Sequence, residues 1–400
     1  MSADPAAAQR LLSAAAVRER CEIVYRAAER GETRHFQLVP DRIGVIAERV
    51  AAVTRRRYSD LVVPFHSRWR HFAAGGIERA GLVAPGADRD EKARARLDLA
   101  IVSVLLDAGA GAHWGYREAE TGIVLRRSEG LGVASLRAMQ SGLFSADPAA
   151  PWRVDAAALT ALTDEALGEA LQHRPGSELA GLAGRVALLR RLGQVIAGLP
   201  EIFGRPARPG HLYDFWLPRR ERLGAPDMLA LILRALGPIW SGRLSLDGVA
   251  LGDCGRHSAV PGDGLVPFHK LSQWLVYSLV ESLAEAGFRV VDLDGLTGLA
   301  EYRNGGLFID GGALQPCDET ILGRMLDPAS EAVVEWRALT VALLDRLAPR
   351  VRALLGKSAA DFPLMCVLEG GSWAAGRELA GEARPDGRPP LTVVSDGTLF

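Results

Sequence analysis

Apolar residues recur at three- and four-residue spacing through long stretches rich in Ala, Leu and Arg, around residues 42–57, 91–108, 128–142, 155–172, 179–199, 226–237, 267–286 and 330–355. That period belongs to the α-helix, and it predicts a helix over each stretch. Several ends carry their own signals. Gly109 after VSVLLDA predicts a C-terminal stop, Pro226 suits a first helical turn, and Gly287 closes the run from Pro267. Strand signals are sparse. Asp247-Gly248 between the alternating apolar residues of RLSLDGVALGD predicts a hairpin, and TGIVLRR and GFRVVDL predict short strands. The apolar strand runs that a doubly wound parallel sheet requires are missing. The pattern predicts a mainly α protein with small β elements, folded as two helical lobes. The Pro/Gly-rich stretch GRPARPGHLYDFWLP, from Gly204 to Pro218, is the candidate connection. It divides an N-terminal helical lobe over 1–210 from a C-terminal helical lobe over 211–400. A second loop near 382–390 precedes the terminal segment LTVVSDGTLF.

Composition narrows the partners more than the fold. The 400 residues are 48% hydrophobic and 24% charged with a net charge of −1, which supplies a substantial core and excludes disorder as the main state. Of 47 basic residues three are lysine (Lys92, Lys270 and Lys357), leaving 44 arginines, and 48 carboxylates balance them. A balanced surface argues against a phosphate-backbone footprint, so no nucleic-acid partner is expected. Four dispersed cysteines predict a reduced, cytoplasmic protein. The N-terminus lacks the basic and apolar regions of a signal peptide, and no run of about 20 apolar residues predicts a membrane span.

Several motif readings fail on spacing. GKS at 356–358 has Val351 where a phosphate loop needs glycine, and GAGAHWG from Gly109 follows a helix instead of a strand. GGSWAAG lacks the second glycine of a nucleophile elbow. Cys254 and His257 have no second ligand pair, and Asp292 and Asp294 read as turn residues, so neither a metal nor a cofactor is predicted. Two denser segments remain. GLVPFHKLSQW opens an apolar helix with His269, the rare Lys270, Gln273 and Trp274. DGLTGLAEYRNGGLFIDGGAL reads as a glycine-rich loop carrying Glu301, Tyr302 and Arg303. HSRWRHFAAGGIERAG adds Arg68 and Arg70, and LEGGSWAAGRELA adds Glu369 and Trp373. Converged, these groups offer arginines for an anion, carboxylates for sugar hydroxyls and an aromatic face for a planar leaving group.

The same segments carry a resemblance. RWRHFAAGGIERAG, RSEGLGVASL, GLVPFHKLSQW, LTGLAEYRNGGLFID, VEWRALTVALLDRLAP and VLEGGSWAAGRELA through SDGTLF resemble the family of the fourth protein of the URC uracil-catabolism pathway, over about Leu38 to Phe400. FHKLSQ, LTGLAEYRNGGLFIDGGAL and VEWRALTVALLDRL are also distantly similar to queuosine-salvage nucleotide N-glycosylases, whose helical fold is like that of DNA glycosylases. The second likeness implies such a core in the C-terminal half and matches Phe268, Lys270, Gln273, Tyr302 and Arg303. Those enzymes place aspartate where this chain has Glu301. Together the resemblances imply an N-glycosidase-type hydrolase of uracil catabolism, cleaving ribosylurea or its 5′-phosphate, with a nucleoside or nucleotide as substrate and other pathway enzymes as partners.

In that reading Glu301 stabilises the oxocarbenium-like transition state or activates water. His269, Lys270 or Glu369 protonates the leaving group. Arg303 with Arg68 or Arg70 holds a phosphate, Trp274 or Trp373 covers the planar ureido group, and Gln273 and Tyr302 complete the binding set. Lys270 as a covalent nucleophile is a variant that first requires its deprotonation. Competing readings are an amidohydrolase or ring-opening enzyme of pyrimidine degradation, and a non-catalytic partner or regulator of a pathway enzyme.

Overall fold

The computed structural model describes residues 5–240 and 244–394. Arg243, the first residue of the predicted hairpin segment, and SDGTLF at the end of the chain lie outside the described residues. The fold is mainly α. Its longer helices are α1 (Ala14–Glu29), α2 (Arg42–Arg57), α3 (Arg89–Leu105), α4 (Arg127–Gln140), α5 (Leu182–Ala197), α6 (Ala225–Leu236), α7 (Lys270–Glu285), α8 (Tyr302–Asp310), α9 (Glu331–Leu355) and α10 (Trp373–Ala383). The strands are two or three residues long and pair two by two. No described helix is long and apolar enough to cross a membrane.

The described chain forms two compact units that interleave in sequence: 5–66, 244–273 and 292–394 in the first, 67–240 and 274–291 in the second. The stretch 204–218 lies within the second unit, and helix α7 contributes its first four residues to the first unit and the rest to the second.

In the first unit α1 and α2 pack on α9, and α8 packs on α10. The reason is legible in α2, where Ile43, Ile46, Ala47, Val50, Val53 and Thr54 are buried along one face while Arg55, Arg56 and Arg57 stand at the negative end of the helix dipole. Strand Phe36–Leu38 runs antiparallel to Leu314–Pro316, with Phe36 opposite Pro316. Buried Glu335 of α9 fixes the approach to it, accepting the amides of His35 at 3.1 Å and Phe36 at 2.7 Å. His257 adds to this anchor. Its Nδ1 accepts the amide of Ala259, so the proton sits on Nε2, which donates to Glu335 at 3.1 Å. The predicted hairpin forms, with Leu246 opposite Val249 and both Asp247 and Gly248 at positive φ, as a two-residue turn requires.

In the second unit α3 and α4 pack together and the short helix Trp69–Phe72 lies on α4. The helix expected over 155–172 is divided into Ala156–Ala161 and Asp164–Ala170, because Thr163 caps the second by accepting the amide of Ala166. Helix α3 ends at Leu105, ahead of Gly109. The segments TGIVLRR and GFRVVDL contain the strands Val124–Leu125 and Val290–Val291.

Candidate active site

The segment read as a glycine-rich loop around Glu301 is in fact a helix start. Glu301 is the N-cap of α8: Oε2 accepts the amide of Arg303 at 2.7 Å and Oε1 that of Asn304 at 2.6 Å. Two otherwise unpaired helix donors thereby hold both carboxylate oxygens in one orientation. Only close packing lets so glycine-rich a segment stay helical. A Cβ at Gly305 would overlap the Trp336 indole, and one at Gly376 of α10 would overlap the carbonyl of Arg303. Ser372 donates to the Asn304 side-chain oxygen at 2.8 Å, tying the start of α8 to the turn before α10.

Glu301 is 7% exposed, and burial pushes its carboxyl above the usual range. The two amides pull the other way, followed by the positive charges of Lys270 and His66. Lys270 and His66 therefore both act electrostatically on the Glu301 carboxyl within the first unit.

Lys270 begins α7 behind a fixed turn. Its amide donates to Asp253 Oδ2 at 3.0 Å, and Asp253 takes both guanidinium nitrogens of Arg337 at 2.7 Å. That ion pair holds the buried Asp253 carboxyl down at about 2, against the cost of burial. Arg337 also lies on the face of Phe268, 3.9 Å from its ring centroid. His269, between them, has φ +49°, a strained value for a side chain with a Cβ. Its Nε2 bonds the Leu11 carbonyl at 2.8 Å, and burial lowers its tendency to protonate. Gln273 is fully engaged: Nε2 donates to the Phe268 carbonyl at 3.0 Å and Thr297 Oγ1 at 2.7 Å, while Oε1 accepts the Thr297 amide at 2.8 Å. Those bonds join the start of α7 to the chain leading into Glu301.

Glu369 sits in a single π-helical turn, Leu368–Ser372, a local widening often found at functional sites. Its Oε2 bonds His66 Nδ1 at 2.9 Å, and Oε1 accepts from Tyr58 Oη at 3.1 Å and Arg57 Nη2 at 3.2 Å. These partners outweigh burial and hold the carboxyl below its ordinary range. His66 escaped the sequence reading although it opens the HSRWRHF segment; its partner lies 303 residues away.

The other candidates are placed as follows. Tyr302 is 39% exposed, Arg303 donates to the Gly387 carbonyl at 3.0 Å, and Trp373 opens α10 with Arg377 over its ring. Arg68, Arg70 and Trp274 belong to the second unit. Arg68 is fully buried and donates to Asp107 at 2.7 Å and Ser103 at 2.6 Å. Arg70 bonds both oxygens of Glu281, and Trp274 packs with His71 at 5.6 Å. Among the described residues no three His, Cys, Asp or Glu side chains are grouped to hold a metal ion; Asp294 instead pairs with Arg352 at 2.5 Å.

Fold and site together define a mainly helical protein centred on a tethered, buried carboxylate with a lysine and a histidine–glutamate pair. Comparison then shows the family. The chain belongs to the family described as protein of unknown function (DUF1688), whose model matches residues 10–400. It is 40% identical to the protein urg3 of Schizosaccharomyces pombe over 98% of both chains. It is 34% identical to uracil catabolism protein 4 of Lachancea kluyveri, over 97% of this chain and 98% of the other.

Proposed function

We propose that this chain works in uracil catabolism as an N-glycoside hydrolase, releasing urea from ribosylurea or its 5′-phosphate. Support for the pathway comes from the name of its relative in Lachancea kluyveri. The observation that carries the chemistry is Glu301, a buried carboxylate fixed by two amides beside the charges of Lys270 and His66. Cleavage of a ribosyl C1′–N bond develops positive charge on C1′ and O4′. A carboxylate whose orientation is set before the substrate arrives stabilises that charge without reorganising, and its remaining lone pairs align the attacking water.

The neighbours then divide the work. Lys270, set at the start of α7 by Asp253 and Arg337, offers a donor for sugar hydroxyls or phosphate. Gln273 and His269 hold the turn that presents it. Arg303 and Tyr302, next to Glu301, supply the anion contact and an exposed aromatic face.

The test is direct. Purified protein is incubated with ribosylurea and with its 5′-phosphate, and urea release is followed. Turnover of one of them is expected, with Glu301→Gln lowering kcat by about 10²–10⁴. No urea from either compound overturns the reading, and full activity of a folded Glu301→Gln variant removes Glu301 from the chemistry.

A further inference from the structure

Urea leaves an anomeric carbon poorly as an anion, so the reaction proposed above needs an acid at the departing nitrogen. Neither Glu369 nor His269 meets the need. The Glu369 carboxyl is held in its ionised form by three donors, and His269 is buried with Nε2 on a backbone carbonyl. His66 is built differently. Because ionised Glu369 can only accept, the Nδ1 of His66 carries the proton of their 2.9 Å bond. The His66 amide is anchored on the Met365 carbonyl at 3.1 Å, and the side chain remains 14% exposed. Among the described residues, Nε2 has no hydrogen-bond partner.

We propose that His66 is the acid that protonates the departing urea nitrogen through Nε2, and that Glu369 is its positioning residue. The inference rests on the glycosidase reading of Glu301. As the C1′–N bond breaks, its electron pair goes to nitrogen, which takes the Nε2 proton and leaves as neutral urea. Water forms the new C1′–O bond and gives its proton to Glu301. Exchange with solvent restores both groups.

The geometry around His66 suits this cycle. Its Nδ1 is held at 2.9 Å by Glu369 of the π turn, whose other oxygen accepts from Arg57 at the end of α2 at 3.2 Å. Tyr58 completes the shell around Glu369. An imidazole tethered at one nitrogen by a carboxylate keeps its tautomer and its aim throughout, as a proton donor must.

The experiment measures kcat and KM from pH 5 to 10 with whichever of the two compounds the wild type hydrolyses. The wild type should lose kcat on the alkaline side as the donor proton is lost. His66→Gln should lower kcat by about 10²–10⁴, leave KM within about threefold and abolish the alkaline limb. Glu369→Gln should lower kcat less and leave KM within about threefold, because the imidazole loses the carboxylate that fixes its tautomer and aim. A wild-type profile without an alkaline limb overturns the assignment even if the variants fail to fold. So does a His66→Gln variant with wild-type kcat. Turnover by the wild type in either case leaves the glycosidase reading standing, whereas urea from neither compound removes both.

Discussion

At the scale of single residues, the site depends on how each charge is held. Glu301 and Glu369 are both buried glutamates, yet their carboxyls move in opposite directions. Burial dominates at Glu301, while three side-chain donors prevail at Glu369. The consequence for Glu301 is testable. If catalysis needs its carboxylate, kcat/KM must fall on the acid side with an apparent pKa above the ordinary glutamate value of about 4.5. Lys270→Met should push that limb to still higher pH, because the ammonium lowers the Glu301 carboxyl. A limb at or below the ordinary value in the wild type, or one that stays in place in the lysine variant, contradicts the assignment. Residues of this kind were only partly legible in the sequence. Lys270 stood out because lysine is rare in this chain, and Glu301 because it adjoins Tyr302 and Arg303. His66 has no local spacing that announces its role, since the bond to Glu369 is made only by the fold.

Among elements, the periodic helices were the readable ones. Helix α2 occupies the stretch 42–57 expected from its apolar spacing, and α9 nearly fills 330–355. The start of α8 was opaque because Gly305 and Gly306 weaken intrinsic helix propensity, and what overrides it is distant: the Trp336 ring, the carbonyl contact at Gly376 and the bond from Ser372 to Asn304. A pair of substitutions separates propensity from packing. Gly305→Ala should destabilise by roughly 1–3 kcal/mol despite the better helix former, because the methyl group meets Trp336. Gly381→Ala, in α10 with open space around it, should stabilise by roughly 0.5–1 kcal/mol. Urea unfolding of the two variants reads both values. Equal effects of the same sign would show that the indole contact does not govern this helix.

For the molecule as a whole, the surplus of arginine finds part of its explanation in buried ion pairs, one of which lies at the heart of each unit. Asp253 with Arg337 anchors the first, and Glu118 with Arg79 and Arg137 anchors the second, where Glu118 is 0% exposed and accepts from Arg79 at 2.8 and 2.5 Å. Both carboxyls are held at about 2 in the folded chain, below their unfolded values. A group whose folded pKa is depressed contributes stability above its unfolded pKa and loses it as pH falls through the folded one. The stability from Glu118 is therefore complete above about pH 4.5 and lost on the way to pH 2, and the same holds for Asp253 from slightly lower pH. Glu118→Gln leaves the 1% exposed Arg79 side chain without its countercharge, which at neutral pH should cost about 3–5 kcal/mol. The difference from wild type should shrink steadily between pH 4.5 and 2, since acid neutralises the same carboxylate. Urea midpoints at pH 7, 4 and 2.5 measure it. A gap that stays constant across that range would mean that Glu118 acts through shape and hydrogen bonding, and that acid unfolding of this protein starts at other carboxylates.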